Sequence, residues 1–245
     1  MTTHYHWDHC GGNKNLKQLL ADKKYFKQSL PIYGGKETQS KSLACITDEV
    51  THLQKFKIGN FLFQAIKTPG HTISDFSFVF FHHPFNRSAD ETIANSSGWS
   101  LFTGDVLFSA GCGKFFECTP DVMFNSLSLL KNLHGGILNE AVNISERNKN
   151  TLIWPGHEYT CQNLHFVYSI DPGNQKVVQH LEWAQAQRAG MLPTVPSTLA
   201  TELEINPFLR PEDPTFTKLV STPRDDPNFF VNVLAHLRKL KDNFK

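Results

Sequence analysis

No apolar run in the 245 residues approaches the length of a membrane span, and the opening residues have no signal-peptide core. Charge of neither sign dominates. The 24 Lys and Arg against 23 Asp and Glu leave a net +1, so nothing in the balance asks for nucleic acid or a membrane surface. No two cysteines are spaced as CxxC, and the five present, Cys10, Cys45, Cys112, Cys118 and Cys161, are odd in number. They read as reduced thiols and not as a disulfide framework; the Asn-x-Ser sequons at Asn86, Asn95 and Asn143 then carry no meaning. Nucleotide fingerprints are missing too, because the glycine-rich stretch Gly111-Cys112-Gly113-Lys114 lacks their spacing. These absences leave the expectation of a soluble protein of the cytoplasm or mitochondrion. A hydrophobic content of 40% with 20 Phe supports a sizeable core in one or two domains.

What the chain does have is concentrated at its start. His4, His6, Asp8 and His9 place four potential metal ligands within six positions, followed by Gly11-Gly12. In an extended segment His4, His6 and Asp8 alternate with Tyr5 and Trp7, so one face carries ligands and the other can pack into a core. His9 breaks the alternation, which predicts a turn or helix start that aims it at a second metal. A purification-tag-like histidine run has no use for the interleaved Trp7 and Asp8 or for the two glycines.

Further along, Asn13 can cap a helix to about residue 26, with Leu16, Leu19 and Leu20 as its buried stripe. Leu30 to Tyr33 reads as a short strand ended by a turn at Gly34-Gly35, and Ala44-Cys45-Ile46 as another. Phe56 to Ile66 has the pattern of a strand or hairpin and ends at Thr68-Pro69-Gly70-His71. Phe76 to Phe81 is a second apolar strand, and 82–98 a polar loop insertion. Ser100 to Gly104 is a third strand, ending at Asp105; Thr151 to Trp154 is a fourth, ending at Pro155-Gly156-His157. Alone, His71 would pass as a bystander loop histidine and Asp105 as a turn residue. Three strand ends that each deliver a ligand-type side chain make a site, since such ends are where sites are built. Thr119 and Pro120 open a helix to about Leu133, with Phe124, Leu127, Leu130 and Leu133 inward. Beyond Thr160 the character turns helical, near 160–169, 174–189 and 227–242.

The stretches THYHWDHCGGN, TPGHT, FTGDVLF, GCGKFFE and PGHEYT, with the helical tail, together resemble glyoxalase II, the hydroxyacylglutathione hydrolases of the metallo-β-lactamase superfamily. The resemblance covers essentially the whole chain. It implies an α/β fold, the αββα sandwich of the superfamily over residues 1–160, with ligands at the ends of strands from both sheets, and an α-helical glutathione-binding domain over 161–245. It also implies that His4, His6 and His71 hold one metal, that Asp8, His9 and His157 hold the other, and that Asp105 bridges them. Nitrogen and oxygen donors suit zinc and leave iron and manganese open. The implied reaction is hydrolysis of S-D-lactoylglutathione or a similar 2-hydroxyacyl thioester by a hydroxide that bridges the metals, held by Asp8 and Asp105. Lys114, Arg238 and Lys241 match the family's glutathione-binding cations, and Tyr159 matches a tyrosine that contacts the peptide. Helix periodicity by itself would make Arg238 and Lys241 ordinary solvated charges. A monomer with no nucleic-acid or membrane partner is expected.

Two departures qualify the transfer. Phe116 stands where the family has tyrosine, so one substrate hydrogen bond is lost and a higher KM is expected. Members normally carry further strands before the histidine motif, so the expectation is a truncated chain whose sandwich lacks its first strands, with an unpaired edge beside His4. That motivates an alternative function, a weakly active or inactive metal-binding form that binds glutathione conjugates or a protein partner.

Overall fold

The computed structural model describes residues 1–21, 31–36, 45–81, 98–133 and 148–244. Its centre is a six-stranded sheet in the order β10-β9-β6-β5-β4-β3. The strands are β3 (Lys55–Ile58), β4 (Phe61–Lys67), β5 (Phe76–Phe81), β6 (Trp99–Gly104), β9 (Leu152–Pro155) and β10 (Ser197–Thr198). β3 to β6 form an antiparallel run, β9 joins β6 in parallel, and β10 closes the edge antiparallel to β9. Two short pairs flank the sheet. β1 (Tyr33–Gly35) runs parallel to β2 (Asp48–Val50), and β7 (Leu107–Phe108) forms a hairpin with β8 (Gly111–Cys112).

The phenylalanine wealth of the sequence explains the sheet. Aromatic side chains favour pleated, half-buried positions, and Phe63 lies directly opposite Phe80 with ring centroids 5.1 Å apart. The strand period of two then sorts side chains to opposite faces. Leu62, Ile66, Val79, Phe81 and Leu101 enter one large core, while Ala65, Phe76 and Phe78 enter a smaller one with Val50. The large core is continuous with the C-terminal helices, through Leu164, Phe166, Phe208, Phe216 and Leu234.

The helices that lie wholly within the described residues are α1 (Trp7–Cys10), α2 (Asn13–Ala21), α3 (Pro120–Lys131), α4 (Thr160–Ile170), α5 (Gln175–Ala189), α6 (Leu199–Ile205), α7 (Pro214–Thr217) and α8 (Phe229–Asn243), with a short 3-10 turn at Pro207–Leu209. α3 starts at the proline as the sequence implies, although the Thr119 side chain makes no capping bond. Leu127, Leu130 and Leu133 are buried, with Phe124 packed against the same core. No helix among the described residues is long and apolar enough to cross a membrane.

Several local expectations are corrected. Gly34 and Gly35 lie within β1 instead of turning after it. They are small because neighbours come close: a Cβ on Gly35 would overlap the Phe76 ring, and one on Gly34 would lie 2.5 Å from Ile46. The strand expected at 44–46 is displaced to Asp48–Val50; Ile46 keeps its burial, but Cys45 has a positive φ of 48° that no strand accommodates. On α2, Leu16 and Leu19 are exposed, because no described element packs on their face. The Leu20 side chain, the helix beyond Ala21 and the 82–97 insertion lie outside the described residues.

Candidate metal centre

The first six residues are not an unpaired edge. The Thr2 N–H donates to the Tyr33 carbonyl at 2.8 Å and the Thr3 carbonyl accepts from the Phe76 N–H at 2.8 Å, so the segment is pinned between β1 and the start of β5. Nor does the ligand stretch stay extended. At Trp7 it enters the single helical turn α1, closed by Cys10 N–H to the His6 carbonyl at 3.1 Å. Gly11 follows because a Cβ there would stand 2.6 Å from the Trp7 carbonyl. The turn swings Asp8 and His9 toward the sheet and leaves Trp7, expected in a core, 74% exposed.

The other three candidates arrive as the sequence implies, at strand ends: His71 after β4, Asp105 after β6 and His157 after β9. All three strands belong to the six-stranded sheet, whereas the segment that carries His4, His6, Asp8 and His9 is bonded both to β1 of the smaller sheet and to the start of β5. β9 lies beside β6 and runs parallel to it, and β4 lies one strand further on, antiparallel to β5 as β6 is, so all three end at the same edge and bring their following residues together.

All seven side chains converge. His4, His6 and His71 form one set of donor atoms, and Asp8, His9 and His157 another, with every atom of a set within 4.8 Å of its fellows. His6 Nδ1 and His71 Nε2 are 3.0 Å apart, as are His9 Nε2 and His157 Nε2 at 3.1 Å. Asp105 sits between the sets. Its Oδ2 lies 3.6 Å from His71 Nε2 and 3.5 Å from His157 Nε2, and its Oδ1 lies 3.3 Å from His9 Nε2.

These residues fit two divalent cations. Buried polar atoms are normally paired, yet His4 Nε2 and Asp105 Oδ1 are buried with no hydrogen-bond partner. Both point where a cation would satisfy them. Burial, reinforced by the neighbouring His9, His71 and His6, pushes His4 down to about 2, so its imidazole is neutral and able to ligate. Burial also lowers His71. For His9 burial works the same way, but Asp105 outweighs it and raises the group above its ordinary value. The far nitrogens are anchored, as ligating histidines require. His71 Nδ1 donates to the Lys114 carbonyl at 2.9 Å, and His4 Nδ1 lies 3.2 Å from Thr3 Oγ1 and 4.0 Å from Asp75 Oδ1.

Asp75 escaped the sequence reading. It is buried, accepts from the Thr72 N–H at 2.7 Å and the Thr72 hydroxyl at 2.8 Å, and burial pushes its carboxyl up to about 7. A carboxylate opening an otherwise apolar strand was the available signal. Glu117 was missed likewise; it accepts from the Tyr5 hydroxyl and from the Ile73 N–H at 2.9 Å, tying the histidine segment to the loop after β8.

A cleft of ≈ 510 Å³ opens on the cluster, with Asp105 and His157 in its floor and Lys114, Arg238 and Lys241 in its wall. Phe116 projects into it, 63% exposed, with its ring 5.1 Å from that of His71 and 5.9 Å from that of His6. Tyr159 stacks on His157 at 5.0 Å. Arg238 is no solvated surface charge. It lies on the buried stripe of α8 with Leu234 and Leu237, 6% exposed, and donates to the Cys112 carbonyl at 2.8 Å and to Asp242. Lys241 is half-buried, with Nζ 3.3 Å from the Gln162 carbonyl; burial, aided by Arg238, pushes it down to about 8.

Residues 1–157 match the metallo-beta-lactamase superfamily and residues 158–244 match the hydroxyacylglutathione hydrolase C-terminus. The chain is 36% identical to the cytoplasmic hydroxyacylglutathione hydrolase of Arabidopsis thaliana, covering 100% of this chain and 80% of that one. It is 33% identical to the hydroxyacylglutathione hydrolase of Maricaulis maris, covering 99% and 78%. Among solved structures, a metallo-beta-lactamase from Staphylococcus aureus subsp. aureus COL has a TM-score of 0.52 at 21% identity, covering 98% of this chain and 55% of that one; that likeness concerns the fold alone.

Proposed function

Because the chain belongs to the hydroxyacylglutathione hydrolase family of the metallo-beta-lactamase superfamily, we propose that it hydrolyses S-D-lactoylglutathione and related 2-hydroxyacyl glutathione thioesters. The products are glutathione and the free hydroxy acid. The observation that carries this reading is the juxtaposition in one cleft of the seven-residue His/Asp cluster and a cationic wall. His4, His6, His71, Asp8, His9, His157 and Asp105 would hold two divalent cations, zinc by preference, with iron or manganese compatible with the same donors. Such a pair supplies Lewis-acid polarisation of the thioester carbonyl and acidifies water from a pKa of about 15.7 toward about 7.

The chain's own residues bind and orient. Lys114 and Lys241 present cations to the glutathione carboxylates, and Arg238 does so with whatever donors its bonds to Cys112 and Asp242 leave over. Tyr159, fixed against His157, offers its hydroxyl and ring edge to the peptide. Phe116 places an apolar ring beside His6 and His71 and has no hydroxyl to donate. Asp8, 3.1 Å from His157 Nε2, and Asp105, 3.3 Å from His9 Nε2, put negative charge where the cations and the water they acidify would be held. The setting in the cell follows the same reading, cytoplasm or mitochondrion, with the protein acting as a monomer.

The test is S-D-lactoylglutathione hydrolysis by the purified chain, with metal content determined on the same sample. Turnover with about two metals per chain supports the proposal. Two metals without turnover would remove the substrate assignment, and a folded protein that takes up no metal would remove the centre itself.

A further inference from the structure

The segment from Asp105 to Lys114 supplies two parts of the cluster. Asp105 stands at one end, and at the other the Lys114 carbonyl orients His71. Between them the chain reverses through the β7–β8 hairpin, with Ala110 at a positive φ of 55°. The hairpin is gripped residue by residue from the C-terminal helices. Asn206 Nδ2, just past α6, lies 3.2 Å from the Phe108 carbonyl and 3.0 Å from the Gly111 carbonyl and donates to both. Asn163 of α4 donates to the Ser109 carbonyl at 3.0 Å. Glu202 of α6 accepts from the Ala110 N–H at 2.8 Å, and Arg238 of α8 donates to the Cys112 carbonyl at 2.8 Å. From 108 to 112, every residue has a backbone atom held by a side chain that lies more than fifty positions away in sequence.

All four gripping side chains are buried. Taking them out of water is unfavourable unless their bonds are made, and each of the four makes at least one of its bonds to the hairpin. Slack is missing at the far end as well. Gly113 threads between two cluster residues, so that a Cβ there would overlap the Asp105 carbonyl and stand 2.9 Å from His71 Nδ1. A displacement of the hairpin must therefore move Asp105 and His71 relative to each other.

We propose that Asn163, Glu202, Asn206 and Arg238 are positioning residues of the metal centre that act through this hairpin, so that docking of the C-terminal helices sets metal affinity. Arg238 then has a duty besides any contact with substrate. The proposal rests on the metal-centre reading above. It extends that reading from the ligands to groups that touch neither metal nor substrate.

The probe is Co2+ binding to the folded protein, measured by competition with a chromophoric chelator and by the ligand-field spectrum of the bound ion. Asn206→Ala and Asn163→Ala are compared with Val177→Ala, which opens a cavity in the same core on α5 and removes no hydrogen bond to the hairpin. The expected result is a loss of Co2+ affinity of about 10- to 100-fold with an altered spectrum in the two asparagine variants, and affinity within about twofold of the parent in Val177→Ala. Should Asn206→Ala not fold, Asn163→Ala, which removes a single bond to the hairpin, decides alone. The proposal is overturned if the folded asparagine variants bind Co2+ like the parent, or if Val177→Ala weakens binding as much as they do. A parent that takes up no Co2+ overturns the metal-centre reading instead.

Discussion

Lys241 makes the proposed substrate contact measurable as a function of pH. Its Nζ sits over the rings of Phe166 and Phe244, 5.4 and 5.6 Å from their centroids, and near Arg238, in a wall that burial desolvates. Desolvation and a like charge both disfavour the ammonium, which places the group at about 8 against an ordinary value of 10.5. Below that point the lysine is charged whether the chain is folded or not. Between about 8 and 10.5 the folded chain has released the proton while the unfolded chain still holds it, so this group's contribution to stability rises with pH. Carboxylate binding has the opposite sign, because it needs the ammonium. At about pH 9 only ~10% of the lysine is charged, so KM for the thioester should be about tenfold its neutral-pH value, with kcat nearly unchanged. Initial rates across a pH series give KM and kcat separately. Lys241→Arg keeps its charge throughout, and its KM should stay flat over the same range; this separates the lysine from the substrate's own amino group. A KM rise of equal size in Lys241→Arg, or none in the parent through about pH 9, would refute the reasoning.

Three other outcomes follow from the same structure. Phe116→Tyr restores a hydroxyl beside the cluster and should lower KM by roughly 2- to 10-fold at constant kcat, the effect of one net hydrogen bond; an unchanged KM in steady-state kinetics denies that residue a substrate contact. Leu130→Ala, at a fully buried position of α3, should cost about 2 to 5 kcal/mol in urea unfolding with little change in m, and a cost near zero would contradict its place in the core. Chelation should lower Tm reversibly, since metal at 100 times Kd contributes about 2.7 kcal/mol per site; a melting curve indifferent to both chelator and added zinc would contradict the fit of the cluster.

Where ligand identity and local backbone decide the matter, the chain could be read directly. The Pro-Gly-His turns and the strand before Asp105 are set by near neighbours in sequence, and His71, Asp105 and His157 stand after strands as their own segments imply, whereas Asp8 and His9 reach the cluster from a helical turn and not from an extended stretch. The apolar run of β5 and the helical character beyond Thr160, which yields α4, α5 and α8, could likewise be read without knowledge of the partner surface.

What failed to show in the sequence depends on a partner far along the chain. Gly34-Gly35 looks like a turn until the Phe76 ring is known to lie against it. Leu16 and Leu19 have helical spacing and still face water, because periodicity tells which residues share a face but not whether another element covers it. Arg238 shows the point most plainly. As a charge on a helix it reads as solvated; its burial is decided by Cys112, 126 positions away, whose carbonyl needs a donor. The sequence by itself determined which atoms can ligate and on which strand ends they stand. Only the tertiary structure decided that three of those ends share one sheet edge, and that buried side chains of the C-terminal helices hold the hairpin between them. Ligand chemistry and strand period are properties of short stretches, whereas burial and hydrogen-bond pairing are properties of two surfaces that meet only when the chain has folded.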